Sequence, residues 1–425
     1  MKIFFLIFIF VTQLFAQHDF KPDIDLIQSG KFYNSELHFF PGKQDYSVYY
    51  SFKISYSQLF FQKKDDNFLA GIKVNIEVRD SSGSIINRVS KENSVAVNDF
   101  ELTNSETHFL QGLLAFKLPS GKYKVLTSIS DETSKRERRI PPFDLVINER
   151  ESILNPIVVE SEKINCENSA SFILSNNSSS IPFNRPADNL FIPVTDSLIK
   201  FLNIIIKRGD TLFIENKKIE KYFIASSELI NCSDKIIIVS NSIESGIKYF
   251  SIDSVSSKLT EGPVTIEIIP DNDINKKTVF NLNVIWIGKP QSLMDPEAAI
   301  KLLEIIEPKK VVSEVLNSGD NYSANLFNYW KKQDPTPNTN FNELMNEFYT
   351  RVDYCEMNFK NLAGNGGAKS DRGKVYIKYG PPDLINRDTN NKDKVAESWT
   401  YDKLKKKFVF VDIDGTGNFT LANGQ

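Results

Sequence analysis

The sequence predicts a multi-domain chain: tandem all-β sandwich-like modules followed by a C-terminal α+β domain. Three observations carry this. Between Tyr46 and Asn148 apolar side chains recur at every second residue, as in Ile72, Val74, Ile76 and Val78, the period of a half-buried strand. Turn residues break these runs at intervals of roughly ten residues, the rhythm of a sandwich, with a barrel as the alternative. After Gly288-Lys289-Pro290 the apolar period changes to three and four, which lines one face of a helix.

Size and composition agree. A chain of 425 residues, 41% hydrophobic and 25% charged, is long enough for two or three domains with real cores. Its 32 Phe and 15 Tyr favour strands, where flat rings pack across a sheet face. A formal net charge of −3 gives no global field for gathering nucleic acid, so no nucleic-acid partner is expected. The short basic run Lys135–Arg139 is expected to be solvated surface.

Residues 1–16 have the pattern of a signal peptide: Lys2, an apolar run from Ile3, then Leu14-Phe15-Ala16 before Gln17. The run is shorter than the roughly 20 residues of a spanning helix, so export to the periplasm or cell surface is expected, with membrane contact at most indirect. Export permits a disulfide between Cys166 and Cys232, although spacing alone does not decide whether they meet. Cys355 falls in a helical pattern and is expected to be a buried thiol. His18, His38 and His108 have no zinc spacing.

In chain order, residues 17–45 read as a linker or an N-terminal strand. Residues 46–150 form the first β-module, with Asp80-Ser81-Ser82-Gly83 as a hairpin turn. Residues 151–287 form a second, with strands at Leu202–Ile206, Leu212–Ile214, Lys235–Val239, Val264–Ile269 and Leu282–Trp286. The Ser/Asn-rich stretch Ser169–Ser180 is expected to be an exposed loop.

Residues 288–425 form the α+β domain. Asp295-Pro296-Glu297 starts a helix that Pro308 is expected to stop. A second helix carries Leu326, Tyr329 and Trp330. A third carries Phe341, Leu344, Met345, Phe348, Val352, Cys355 and Phe359. Val375–Tyr379, Glu397–Tyr401 and Phe408–Val411 are expected as strands, with a turn at Gly380-Pro381-Pro382-Asp383.

The block from Asn328 to Phe359, then GGAKSDRGKVYIKYGPPD at 366–383, Trp399-Thr400-Tyr401 and FVFVD at 408–412 resemble the GWxTD-domain proteins of Bacteroidetes-type bacteria. The resemblance covers about residues 290–420. It implies an exported protein with β-rich N-terminal modules, and it supplies no catalytic residues. At the naming motif this chain has Gly367-Ala368-Lys369-Ser370-Asp371: alanine replaces the family's tryptophan and serine its threonine. The hydroxyl beside an acid survives, whereas the large ring is gone.

No reaction centre is legible, and no catalytic, cofactor-binding or metal-binding residue is assigned. A Ser370–Lys369 dyad fails because neighbours on a loop or strand point apart. The run Gly364–Ser370 mimics a phosphate loop, but it follows a helix and is read as opening a strand. Asp412, Asp414 and Asn418 suggest a polar turn more than a calcium loop, since the closing glutamate is absent. Asp371 is expected to accept hydrogen bonds at the start of a strand, and Arg372 to pair with Glu347 or Asp353 on the third helix.

The expected role is therefore non-catalytic binding or scaffolding in the cell envelope with a protein partner. The candidate surface is Trp330, Asp334, Ser370, Asp371, Arg372, Tyr379, Pro381, Pro382, Asp383 and Trp399. The alternatives are an envelope polysaccharide or peptide hydrolase using two of Glu343, Glu347, Asp353 and Asp371, and a carbohydrate-binding module with stacking aromatics.

Overall fold

The computed structural model describes residues 33–424 apart from 43, 150, 167–168, 176–178, 226–227, 240–245, 365 and 389–394. The expected leader and His18 lie outside the described residues. The chain divides into two compact units, Met1–Glu149 and Arg150–Gln425.

The first unit contains β1 (Asn34–Pro41), β2 (Tyr46–Ser55), β3 (Gln62–Lys64), β4 (Asn67–Asp80), β5 (Ile85–Val97), β6 (Phe109–Leu118), β7 (Gly121–Asp131) and β8 (Glu137–Ile147). One sheet has the order β1-β2-β6; the other runs β3-β4-β7-β8, with β5 also paired to β4. Val48, Tyr50, Phe52 and Ile54 of β2 share one apolar cluster with Ile72, Val74, Ile76 and Val78 of β4. The period-two pattern thus turns one face of each sheet inward, as a sandwich requires. At the β4–β5 turn the Asp80 carboxylate accepts the N–H groups of Ser82 and Ser84 at 2.9 and 3.0 Å. The basic run Lys135–Arg139 is exposed where β8 begins.

The second unit opens with β9 (Ile157–Cys166), β10 (Ser169–Leu174), β11 (Ser180–Pro182), β12 (Asn189–Val194), β13 (Leu202–Arg208), β14 (Thr211–Ile219), β15 (Tyr222–Ala225), β16 (Leu229–Cys232), β17 (Lys235–Val239), β18 (Ile247–Ile252), β19 (Gly262–Pro270) and β20 (Thr278–Ile285). They form a seven-stranded sheet β15-β18-β12-β9-β10-β17-β16 and a five-stranded sheet β11-β20-β19-β13-β14. Cys166 and Cys232 are joined by a disulfide. The loop expected at Ser169–Ser180 is corrected: its first half is β10, inside the larger sheet. Phe172, Ile173 and Leu174 are buried there, so three apolar side chains outweigh the polar composition around them.

The helices follow: α1 (Pro296–Leu302), α2 (Lys309–Leu316), α3 (Tyr322–Lys331), α4 (Glu343–Asn358) and α5 (Asp371–Tyr379). Capping chemistry fixes their starts. Asp295 accepts the Ala298 N–H at 3.1 Å, Asn321 that of Ala324 at 3.1 Å, and Asn342 that of Met345 at 2.8 Å. The first helix ends at Leu302, ahead of the stop expected at Pro308, and Pro308 instead immediately precedes α2. On α4, Met345, Phe348, Tyr349, Val352 and Cys355 are buried, whereas Leu344, expected on that face, is 44% exposed.

The strand expected at Val375–Tyr379 is a second correction, since these residues belong to α5. A cap at Ser370 and packing on α4 decide it: Tyr376 stacks on Tyr354 with ring centroids 4.5 Å apart. A last sheet, β21 (Leu384–Asp388), β22 (Val395–Tyr401), β23 (Lys406–Asp412) and β24 (Phe419–Gly424), is an antiparallel meander in that order.

A single apolar cluster runs from the β9–β20 region through the helices to this sheet. Phe341, just ahead of α4, packs on Phe183 and Trp286 with centroids 5.9 and 5.4 Å away. Among the described residues no helix is long and apolar enough to cross a membrane.

Candidate functional site

The residues singled out around Gly367–Arg372 form the junction between α4, α5 and β24, and each has a structural task. Gly367 takes φ +54°, and a Cβ there would meet the Glu356 carboxylate at 2.6 Å. That carboxylate accepts the Ala368 N–H at 3.0 Å. Ser370 is the N-cap of α5: its hydroxyl donates to the Gly367 carbonyl at 2.7 Å and accepts the Gly373 N–H at 3.0 Å. This is the bond that survives the threonine-to-serine departure. It also commits the hydroxyl proton to the Gly367 carbonyl, and Lys369 is exposed beside it.

Asp371 sits in the first turn of α5, not at the start of a strand. Its carboxylate accepts the Leu421 N–H of β24 at 3.0 Å. The glycine-rich run therefore follows one helix and opens another, where a strand was expected after it. The preceding element is still α4, not the strand that a phosphate loop requires.

The expected pairing of Arg372 with Glu347 or Asp353 is corrected: its partner is Glu397 on β22, at 3.6 Å. Its guanidinium lies between the rings of Phe359 and Phe419, 4.9 and 4.0 Å from their centroids. Burial, first, then neighbouring Arg387, pull the Arg372 pKa below its ordinary value, and Glu397 opposes them. Glu397 also accepts the Trp399 indole N–H at 2.6 Å and faces Arg387 at 3.6 Å. Arg372 and Glu397 are thus a buried pair, with the exposed Arg387 at its outer side. Nothing in the sequence points to Glu397 beyond its place in a strand.

The four acids considered for hydrolysis are engaged separately. Glu343 accepts the Thr336 hydroxyl at 2.6 Å, Glu347 pairs with Arg351 on its own helix, Asp353 accepts the backbone N–H groups of Gln291 and Ser292, and Asp371 holds β24. Burial pushes the Cys355 thiol up to about 12, which keeps it protonated and unreactive. Asp412 and Asp414 serve a turn: they accept the N–H groups of Gly417 and Thr416 at 2.9 and 3.2 Å.

The aromatics are core. Trp330 and Trp399 are 2% and 1% exposed, leaving no indole face for a sugar ring. Asp334 accepts from Lys331 and the Thr336 N–H, both at 2.9 Å. Tyr379 is half-buried and stacks on Phe408. Pro381 and Asp383 are exposed and Pro382 half-buried.

The exposed end of this set leads directly into β21, which the sequence reading missed. β21 is an edge strand that pairs with β22 alone among the described residues. All five of its residues are exposed, Leu384 and Ile385 by 52% each. The signal in the sequence was an apolar pair directly after Pro381-Pro382-Asp383. The opposite edge, β24, differs: Asp371 occupies its outward N–H at Leu421.

Residues 271–422 match the model of the GWxTD domain family. No curated protein matches the chain. Among solved structures, a serine-rich repeat adhesion glycoprotein of Streptococcus agalactiae is similar, with 11% identity over 60% of this chain and 98% of that one. Its TM-score of 0.16 is too low to carry an argument.

Proposed function

We propose that this chain, which carries a GWxTD domain over residues 271–422, is a non-catalytic binding or scaffolding protein of the cell envelope. It works through protein–protein contacts, and the β21 edge is where they are made. One observation carries the reading: the last sheet has one edge tied by Asp371 and one edge exposed along its whole length. An open strand presents backbone donors and acceptors that another strand can satisfy, and native proteins usually cover or charge such an edge. Here Arg387 and Asp388 charge one end of the five-residue strand, whereas Leu384 and Ile385 leave the other end apolar.

Export belongs to the same proposal. It is supported by the leader-like residues 1–16 and by the Cys166–Cys232 disulfide, a bond that persists in oxidising compartments.

The test is affinity purification from the native envelope of cells holding two differently tagged copies, with wild-type bait and an Ile385→Lys variant. Retention of a specific protein by the wild type and its loss from the variant is the expected result. A wild-type bait that retains nothing, second copy included, would sink the proposal.

A further inference from the structure

We infer that the occupant of the β21 edge is a second copy of this chain, paired antiparallel about a two-fold axis at Ile385. The inference rests on the binding reading above and supplies its partner.

Register decides which side chains would meet. Ile385 stands opposite Trp399 and Arg387 opposite Glu397 in the β21–β22 pairing, so Ile385 and Arg387 share one face and Leu384 and Asn386 the other. With the axis at Ile385, that residue lies against the partner's Ile385, and Leu384 lies against the partner's Asn386. Asp383, one residue before the strand, comes opposite the partner's Arg387, and symmetry repeats that pair at the other end. The result is an apolar centre flanked by two opposite-charge pairs, the arrangement that stabilises cross-strand neighbours.

Shifted registers lose this. An axis at Asn386 sets Ile385 against the partner's Arg387 and Leu384 against the partner's Asp388, apolar against charged. An axis at Leu384 sets Asp383 against the partner's Ile385 and moves Pro382, which has no N–H, inward to face the partner's Asn386, whereas with the axis at Ile385 it falls at the outer end, opposite the partner's Asp388. β21 is thus complementary to itself in one register, and pairing would continue the sheet through two molecules. A five-residue edge is small beside the interfaces of obligate dimers, so association is concentration-dependent.

Sedimentation equilibrium of the full chain, over roughly 10 μM to 1 mM as suits a small interface, reads the state directly. The expected result is a mass rising toward twice the monomer for the wild type and a constant monomer mass for Ile385→Lys. A register readout needs no loss of folding. Under mild oxidation Ile385→Cys links into covalent dimers, because directly opposed residues are within disulfide reach, whereas Leu384→Cys does not. A wild type that stays monomeric throughout overturns the inference, as does a dimer that Ile385→Lys leaves intact. If the wild type is monomeric but the envelope bait still captures another protein through Ile385, the second copy is wrong and the binding reading stands. A monomer with an empty bait removes both.

Discussion

The carboxylate of Asp371, in the first turn of α5, accepts the backbone N–H of Leu421 on β24 at 3.0 Å. This side chain ties the helix to the sheet edge, and Ser370 beside it fixes where the helix begins. This gives the surviving residues of the degenerate motif a physical reason: the hydroxyl caps and the acid ties.

Asp371→Ala is expected to cost about 1.5 kcal/mol, the lower end for a hydrogen bond to a charged group, because the side chain is 39% exposed. Amide exchange at Leu421 should accelerate with it. Ser370→Ala should cost about 1 kcal/mol as a lost cap. Chemical denaturation measures both.

The missing ring is a packing matter. Ala368 is fully buried, so restoring tryptophan by Ala368→Trp should overpack the site and destabilise by about 1–3 kcal/mol or more. Gly373→Ala belongs to the same class, since a Cβ would stand 2.2 Å from the Gly367 carbonyl oxygen. Gly364→Ala meets open space and should cost only the left-handed conformation, about 1 kcal/mol. Melting temperatures of the three variants rank these expectations.

Arg372→Met should cost about 3 kcal/mol, the low end for breaking a buried pair, because Arg387 still faces Glu397. Adding Glu397→Gln should recover part of that loss, since it removes a buried carboxylate left with only the exposed Arg387 as partner. A double-mutant cycle in urea checks the sign of the coupling.

In the first unit, burial lowers the His38 pKa from 6.5 to about 4. The ring is therefore neutral at pH 7, and its 3.9 Å approach to Glu36 is no ion pair there. Below about 6.5 the unfolded chain binds a proton that the folded unit refuses. Stability is thus complete above that pH and falls by about 3 kcal/mol as pH drops toward 4. Unfolding of His38→Gln across this window should lack that slope.

How much of this the sequence carried varies by element. β2 and β4 were legible because their two-residue alternation is the burial pattern itself, and α4 because its apolar residues recur at three and four. α5 was not: Val375-Tyr376-Ile377-Lys378-Tyr379 alternates as a strand would, and the cap that overrides it lies five residues upstream. Sequence proximity points Arg372 to nearby helical acids. Glu397 arrives only because the meander folds back over α5, and that register leaves no local mark. Leu384 and Ile385 do not read as a strand because β21 is short and exposed on both faces, which leaves no period.

The aromatic contact of Phe341 with Phe183 and Trp286 bears on how this protein is handled at the bench. The family match starts at Asp271, yet Phe183 lies far upstream of it and β20 needs β19 beside it. A fragment cut at either 271 or 288 would bare a ring-lined surface and should be recovered as aggregate, so a soluble piece has to begin near residue 150.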